Sequence, residues 1–386
     1  MRTALEAIFW CSAGLIVWTQ VGYAAALVVL DRALPRRGRR RTRTAPAGEP
    51  PRLSLIVAAH DEERVIGAKV KNARGLDYPR ERLEVIVACD GCSDATAQLA
   101  REAGADVVLE LARGGKIRAQ DAAVERARGE IVAFSDANAL WDADAARELV
   151  AAFEDPRVGY ACGQLIFVGA GERQEAANQE GIYWHYELAL RALESRLSSI
   201  TAGNGAIYAT RRDSYIVVDP IMGHDLSLPF KTVKRGLRAV YVPAARAREK
   251  MVPTLGGEFA RKRRMMSHTW PILLRGGMLS PRGYPPGYAL MILSHRLLRY
   301  FTPGLHAIAL AANVALLAIG AGTLYAVTLA LQLALLAAAA LAGVLRARPL
   351  LIARYYVLTT ASPAAGLWDW LRHGTSASWE AAEGTR

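Results

Sequence analysis

The chain has 386 residues, 52% of them hydrophobic, with 22% charged and a formal net charge of +12. That is too apolar for a disordered chain, and its four scattered cysteines exclude a disulfide scaffold. The basic residues cluster near apolar segments, without the aromatic-interleaved patches of a nucleic-acid binder, so no nucleic-acid partner is expected.

Residues 7–30 form an uncharged run long enough to span a bilayer, which takes about 20 residues. A signal peptide has a shorter apolar core, so the spacing predicts a retained helix over 1–31. The arginines of 36–43 follow at once, placing the 32–51 linker on the cytoplasmic side by the positive-inside rule.

A soluble domain over 52–270 comes next, with strands alternating with helices. Residues 53–59 read as a buried strand, followed by His60, Asp61 and Glu62 opening a helix. Residues 83–88 are a second strand ending in Asp90, with a helix starting at 93–96. Residues 106–111 are a third strand, and Gly114, Gly115 and Lys116 precede a helix over 117–128. Residues 130–135 are a fourth strand, ending in Asp136, Ala137 and Asn138. This pattern predicts an α/β fold with a mostly parallel sheet, which binds ligands beyond the carboxyl ends of its strands. Acids repeated at those ends repel one another unless something positive, such as a divalent metal with a nucleotide diphosphate, lies between them. Each acid alone also reads as a helix cap, as do Asp142 and Asp144. Cys89 and Cys92 match a redox C-x-x-C spacing, although they flank Asp90 within this motif.

Beyond the domain, 271–300 mixes arginines and tyrosines and reads as an interfacial amphipathic segment. Residues 301–345 carry no Asp, Glu, Lys or Arg and accommodate two spanning helices within 301–346, turning near Gly320 and Gly322. Arg346 and Arg348 follow, again cytoplasmic by charge, and 347–386 is a membrane-associated segment whose 349–368 is a further possible span, weakened by Pro363 and Gly366.

The stretches 54–63, 87–96, 114–116 and 130–138, in this order and spacing, resemble family 2 glycosyltransferases, inverting enzymes with the GT-A nucleotide-diphospho-sugar transferase fold. The resemblance covers about 52–265, and the flanking apolar helices are similar to membrane-bound members that make bacterial polysaccharides, such as hyaluronan, cellulose and poly-N-acetylglucosamine synthases. Trp379, Glu380 and Arg386 resemble the tails of the last of these. The resemblance implies that Asp61 and Asp90 contact the uracil and ribose of a UDP-sugar, whose donors suit carboxylate acceptors, and that Lys116 approaches the diphosphate. It implies that Asp136 and Asn138 hold Mg²⁺ or Mn²⁺, with an amide where the family has its second acid. Gly203, Asn204 and Gly205 match the acceptor-side loop. Asp225 matches the general base, with His224 replacing the preceding acid. Arg261 and Arg264 fall on the Gln and Arg of the processive synthases' Gln-x-x-Arg-Trp, and Met265 on its Trp platform, which argues against processivity.

The resemblance thus implies a membrane-anchored inverting glycosyltransferase in the cell inner membrane, multi-pass, with a cytoplasmic catalytic domain. It would transfer sugar from a UDP-sugar to a polysaccharide, lipid-linked or lipid acceptor, with an export partner where the product leaves the cell. The departures at Asn138, His224 and Met265 keep open an inactive nucleotide-sugar-binding partner of a polysaccharide synthesis complex.

Overall fold

A computed structural model of the chain describes residues 1–34, 49–168, 175–250, 255–345 and 347–377. The basic block at 36–43, Arg346 and the tail residues Trp379, Glu380 and Arg386 lie outside the described residues.

The predicted strands form where expected: β1 (Leu53–Ala59), β2 (Leu83–Asp90), β3 (Val107–Leu111) and β4 (Ile131–Asp136). β1 and β4 are apolar along nearly their whole length because helices cover both faces of the sheet. These four are mutually parallel in the order β3-β2-β1-β4. The sheet then continues with four strands the alternating pattern did not predict: β5 (Leu140–Trp141), β6 (Val158–Val168), β7 (Tyr208–Arg211) and β8 (Arg238–Lys250). β7 runs antiparallel between β4 and β6, β8 is parallel to β6, and β5 closes the far edge antiparallel to β8. The order reverses between β1 and β4, so their carboxyl ends diverge and leave a crevice.

Helix α1 (Arg2–Ala33) precedes the sheet. The helices α2 (Ile66–Arg74), α3 (Thr96–Glu102) and α4 (Lys116–Arg126) cover its parallel half, whereas α5 (Ala145–Val150) packs on β8, β6 and β7. The first of these starts five residues later than the acids at 61–63 suggested, because Asp61 takes a left-handed φ of +50° and bridges to Ser93 instead of opening the helix. α6 (Glu175–Leu197) and α7 (His224–Lys234) cover the mixed half, and α8 (Leu255–Leu274) packs beside α7.

α9 (Pro286–Tyr300) and α10 (Thr302–Ala318) meet at a bend of 63°, and α11 (Thr323–Leu341) follows after the Gly320 to Gly322 turn. Among the described residues α1 and α11 are long and apolar enough to cross a membrane, and the bent pair makes a third if counted as one span. Residues 349–368 fall within one continuous helix, α12 (Arg348–His373), which lies along α8. Arg263 pairs with both oxygens of Asp369, at 2.6 and 2.5 Å, and Trp270 donates to the Pro363 carbonyl at 2.9 Å. Gly366 permits this approach, since a Cβ there would lie 2.5 Å from Cβ of Met266.

Arg296, Arg299 and Tyr288, expected at the membrane surface, turn inward instead. Two buried acids on α6 explain why: Arg299 pairs with Glu187, and Arg296 donates to Thr201, which itself donates to Glu194. Glu194 also accepts from Tyr23 of α1 at 2.7 Å and from His295 of α9 at 2.6 Å. A buried charge must be paired or hydrogen-bonded, and this one takes partners from three separate segments.

Candidate active site

At the end of β1, Asp61 adopts φ +50°, a left-handed conformation that Asp tolerates better than most side chains. Its carboxylate accepts the Ser93 N–H at 2.7 Å, bridging the loops after β1 and β2. Asp90, at the end of β2, is buried and accepts the Gly114 and Gly115 N–H groups at 2.6 and 3.0 Å. It therefore fixes the glycine turn that launches α4 and Lys116, a task the sequence did not reveal. Gly115 has φ +95°, and a Cβ there would lie 2.2 Å from the Ala377 carbonyl, so the chain after α12 packs directly on this turn. Cys89 and Cys92 are both free thiols.

Lys116 forms an ion pair with Asp136 at the end of β4. Burial pulls the ammonium's pKa down, but the carboxylates of Asp136, Asp225 and Glu249 together more than reverse this and raise it. Gly205 lies directly over the pair: a Cβ there would sit 3.2 Å from Lys116 Nζ and 3.4 Å from Asp136 Oδ2. A larger residue here would push on the Lys116 ammonium.

Asn138 donates from Nδ2 to Glu249 Oε1 at 3.0 Å. Burial pushes the Glu249 carboxyl up to about 7, and the nearby Asp136 adds to that. Glu249 comes from the far end of β8, so its place was invisible to a local reading. Lys69 was missed for the same reason: fully buried on α2, it donates to the Ala139 carbonyl at 2.6 Å and pins the turn after Asp136.

Asn204 is turned inward, donating to the Gly163 carbonyl at 2.9 Å while its own carbonyl accepts from Ala206 and Ile207. It shapes the loop rather than projecting from it. A Cβ on Gly203 would lie 2.1 Å from the Tyr160 hydroxyl, and the Gly203 N–H donates to the Asp225 carbonyl at 2.7 Å. Arg191, stacked near Trp184 and Tyr241, donates to the Gly203 carbonyl at 3.0 Å.

Asp225 lies in the first turn of α7, where the helix N-terminus favours an acid. Burial nevertheless raises its pKa, with Asp136 adding to this and Lys116 opposing it. His224 does not join this cluster as a charge. Its ring contacts the hydroxyls of Tyr208 and Tyr215 at 2.8 and 3.2 Å, and burial with Lys116 nearby pulls it down to about 3. It is a neutral packed histidine. On α8, the Arg261 charge acts on Glu249, whereas Arg264 is exposed and acts on His268. Of the two arginines, Arg261 is the one whose charge acts on Glu249.

The structure thus brings Lys116, Asp136, Asn138, Gly205, Asp225 and Glu249 together, with Arg261 beside them and Asp61 and Asp90 forming the neighbouring crevice wall. The family model described as Glycosyltransferase like family 2 matches residues 50–267. A mannosyltransferase from Pyrobaculum calidifontis, solved with GDP-Man and Mn²⁺, superposes with a TM-score of 0.73 at 25% identity, covering 95% of this chain and 99% of that one. A beta-monoglucosyldiacylglycerol synthase of Trichormus variabilis is 34% identical over 164 residues, 40% of this chain and 34% of its own length. An N-acetylglucosaminyltransferase of Mesorhizobium japonicum is 28% identical over 240 residues, 56% of this chain and 55% of its own. The chain spans about a third to a half of the length of these curated relatives. The sheet and its covering helices are the GT-A fold of a glycosyltransferase. The chain belongs to glycosyltransferase family 2.

Proposed function

We propose that this chain is a membrane-anchored, inverting glycosyltransferase. It takes its sugar from a nucleoside diphosphate sugar, a UDP-sugar on our reading, and passes it to a saccharide, lipid-linked or lipid acceptor at the cytoplasmic membrane face. The observation that carries this reading is the meeting of Lys116, Asp136 and Asp225 at the crevice. The apolar helices α1 and α11 support the membrane anchorage, and the arginine-rich segments beside them support the cytoplasmic orientation.

In this reading Asp225 takes the proton from the acceptor hydroxyl. That oxygen attacks the anomeric carbon from the side opposite the diphosphate, the new glycosidic bond forms, and the old C–O bond breaks with its electrons leaving on the diphosphate. Inversion follows from that single displacement. Lys116 exchanges Asp136 for the diphosphate when the donor binds. Asp61 and Asp90 bound the pocket of the nucleoside, Asp90 through the glycine turn it holds, and Arg261 faces the diphosphate more directly than Arg264. The acids around Lys116 suit a hard divalent cation, and Asp136 with the Asn138 carbonyl would hold Mg²⁺ or Mn²⁺. When bound, that ion neutralises charge developing on the leaving diphosphate.

The test is nucleotide release by detergent-purified protein, with membrane extract as acceptor, across a panel of UDP-sugars and GDP-mannose, with Mg²⁺, Mn²⁺ or EDTA. Release from one donor, abolished by EDTA and by Asp136→Ala or Asp225→Asn, is expected. No release from any donor, with nucleotide still bound, overturns the reading in favour of a non-catalytic binding partner.

A further inference from the structure

The second position of the metal motif is an amide, Asn138, which leaves Asp136 as its only charged member. Mg²⁺ and Mn²⁺ sites favour carboxylate oxygen, and a neutral carbonyl supplies none of the charge. We infer that Glu249 supplies the missing second carboxylate of this divalent-metal site, reaching it from β8. The inference rests on the proposed glycosyltransferase reading and deepens it.

Two ladders aim Glu249 at the motif. β5 follows directly on the Asp136 to Asn138 turn and pairs antiparallel with β8, Trp141 against Ala247 and Leu140 against Arg248. Continued one step, that register brings Glu249 beside the turn. On its other edge β8 pairs with β6, Glu249 against Phe167, which fixes the strand from both sides. The Asn138 hydrogen bond at 3.0 Å closes the arrangement.

The amide at 138 has a physical reason once Glu249 is in place. An Asp there would put two carboxylates in contact, with Asp136 beside them, and like charges so placed resist joint ionisation. The amide instead donates to Glu249 and removes one negative charge. The acid count of a two-carboxylate motif is thereby kept, with one member moved from the turn to β8. Asp136, Glu249 and Asp225 all act on a single ammonium, Lys116. That cation stands where three acids converge, and it leaves an excess of negative charge suited to a dication once Lys116 turns to the diphosphate.

The test measures Mn²⁺ binding, by loss of the free-ion electron paramagnetic resonance signal, on the full chain in detergent, with UDP and with GDP in parallel. Glu249→Gln keeps the side chain's shape and still accepts the Asn138 hydrogen bond, so a merely structural role leaves Mn²⁺ affinity unchanged. A ligand role weakens it about 10-fold or more. Returning the acid to the turn, in Asn138→Asp combined with Glu249→Gln, is expected to restore affinity to within about threefold of wild type. Wild-type affinity in Glu249→Gln overturns the inference, as does a double variant no better than the single one. Asp136→Ala separates the two levels. If it binds Mn²⁺ as the wild type does, the metal-site reading itself fails. If it loses Mn²⁺ while Glu249→Gln does not, only the role of Glu249 falls.

Discussion

In the parallel half of the sheet each acid sits at or just beyond the strand that delivers it, and its partners lie in the next loop along: Asp61 holds Ser93, and Asp90 holds Gly114 and Gly115. In the mixed half the partners come from far away in the chain. Glu249 meets Asn138 across 111 positions, and Gly203 is gripped by Tyr160, Arg191 and Asp225 from three elements. The first half is a set of local strand-end devices suited to one recurring ligand, a nucleotide. The second is an assembled surface in which one change propagates through several elements, as suits a region that must be fitted to a particular acceptor.

Asp225→Asn breaks the comparison most severely. It is expected to lower turnover by about 10²- to 10⁴-fold, the usual contribution of general base catalysis, measured as nucleotide release. Stability should move the other way. A carboxyl whose pKa is raised on folding favours the folded state when protonated and loses that advantage as pH rises through the raised value. At neutral pH the ionised group is therefore a cost, and the Asn variant should melt at the same temperature or higher by differential scanning calorimetry. The wild-type rate should correspondingly fall on the acid side at a higher pH than an unperturbed aspartate would give.

Gly203→Ala tests whether the mixed half propagates strain. Its Cβ meets the Tyr160 hydroxyl, so a loss of about 1–3 kcal/mol in chemical denaturation is expected, as for other overpacked sites. That hydroxyl is buried with the weakly hydrogen-bonding Cys162 thiol beside it, so Tyr160→Phe should rescue the variant and on its own be near neutral.

His224→Phe should cost about 1–3 kcal/mol, because it strands the buried Tyr208 hydroxyl. It should leave the acid limb of the rate profile in place. With its pKa pulled down to about 3, the imidazole is neutral throughout that range and does not titrate there. The smallest effect is expected outside both halves. Arg263→Ala removes a solvent-screened pair with Asp369 and should leave the melting temperature nearly unchanged by differential scanning calorimetry.

What could be read without coordinates follows the same division. Strands β1 to β4 and the acids at their ends were legible because each is a local pattern: an apolar run, then a polar turn. Asp136, Lys116 and Asp225 were found by motif, and the fold brings them together. Asn204 was legible as a loop residue, yet its inward orientation depends on the Gly163 carbonyl on β6, which no spacing announces. His224 looked like a substitute acid because its neighbours in the chain suggested chemistry, whereas its neighbours in space are two tyrosines. Lys69 and Glu249 carried no signal, since each acts on the Asp136 turn from a distant part of the chain. Pro363 and Gly366 read as helix breakers in isolation, but they are the points at which α12 touches α8 most closely.

The buried Glu194 sets a condition on how the molecule is made. Its partners are Tyr23, near the start of the chain, and His295, which leaves the ribosome after the entire sheet. During synthesis the carboxylate waits with one partner already anchored in α1 and the other not yet translated. The catalytic domain therefore cannot reach its final packing ahead of α9. Completion of its interior is tied to the arrival of α9, and a chain arrested before residue 295 holds the Glu194 carboxylate without its imidazole partner.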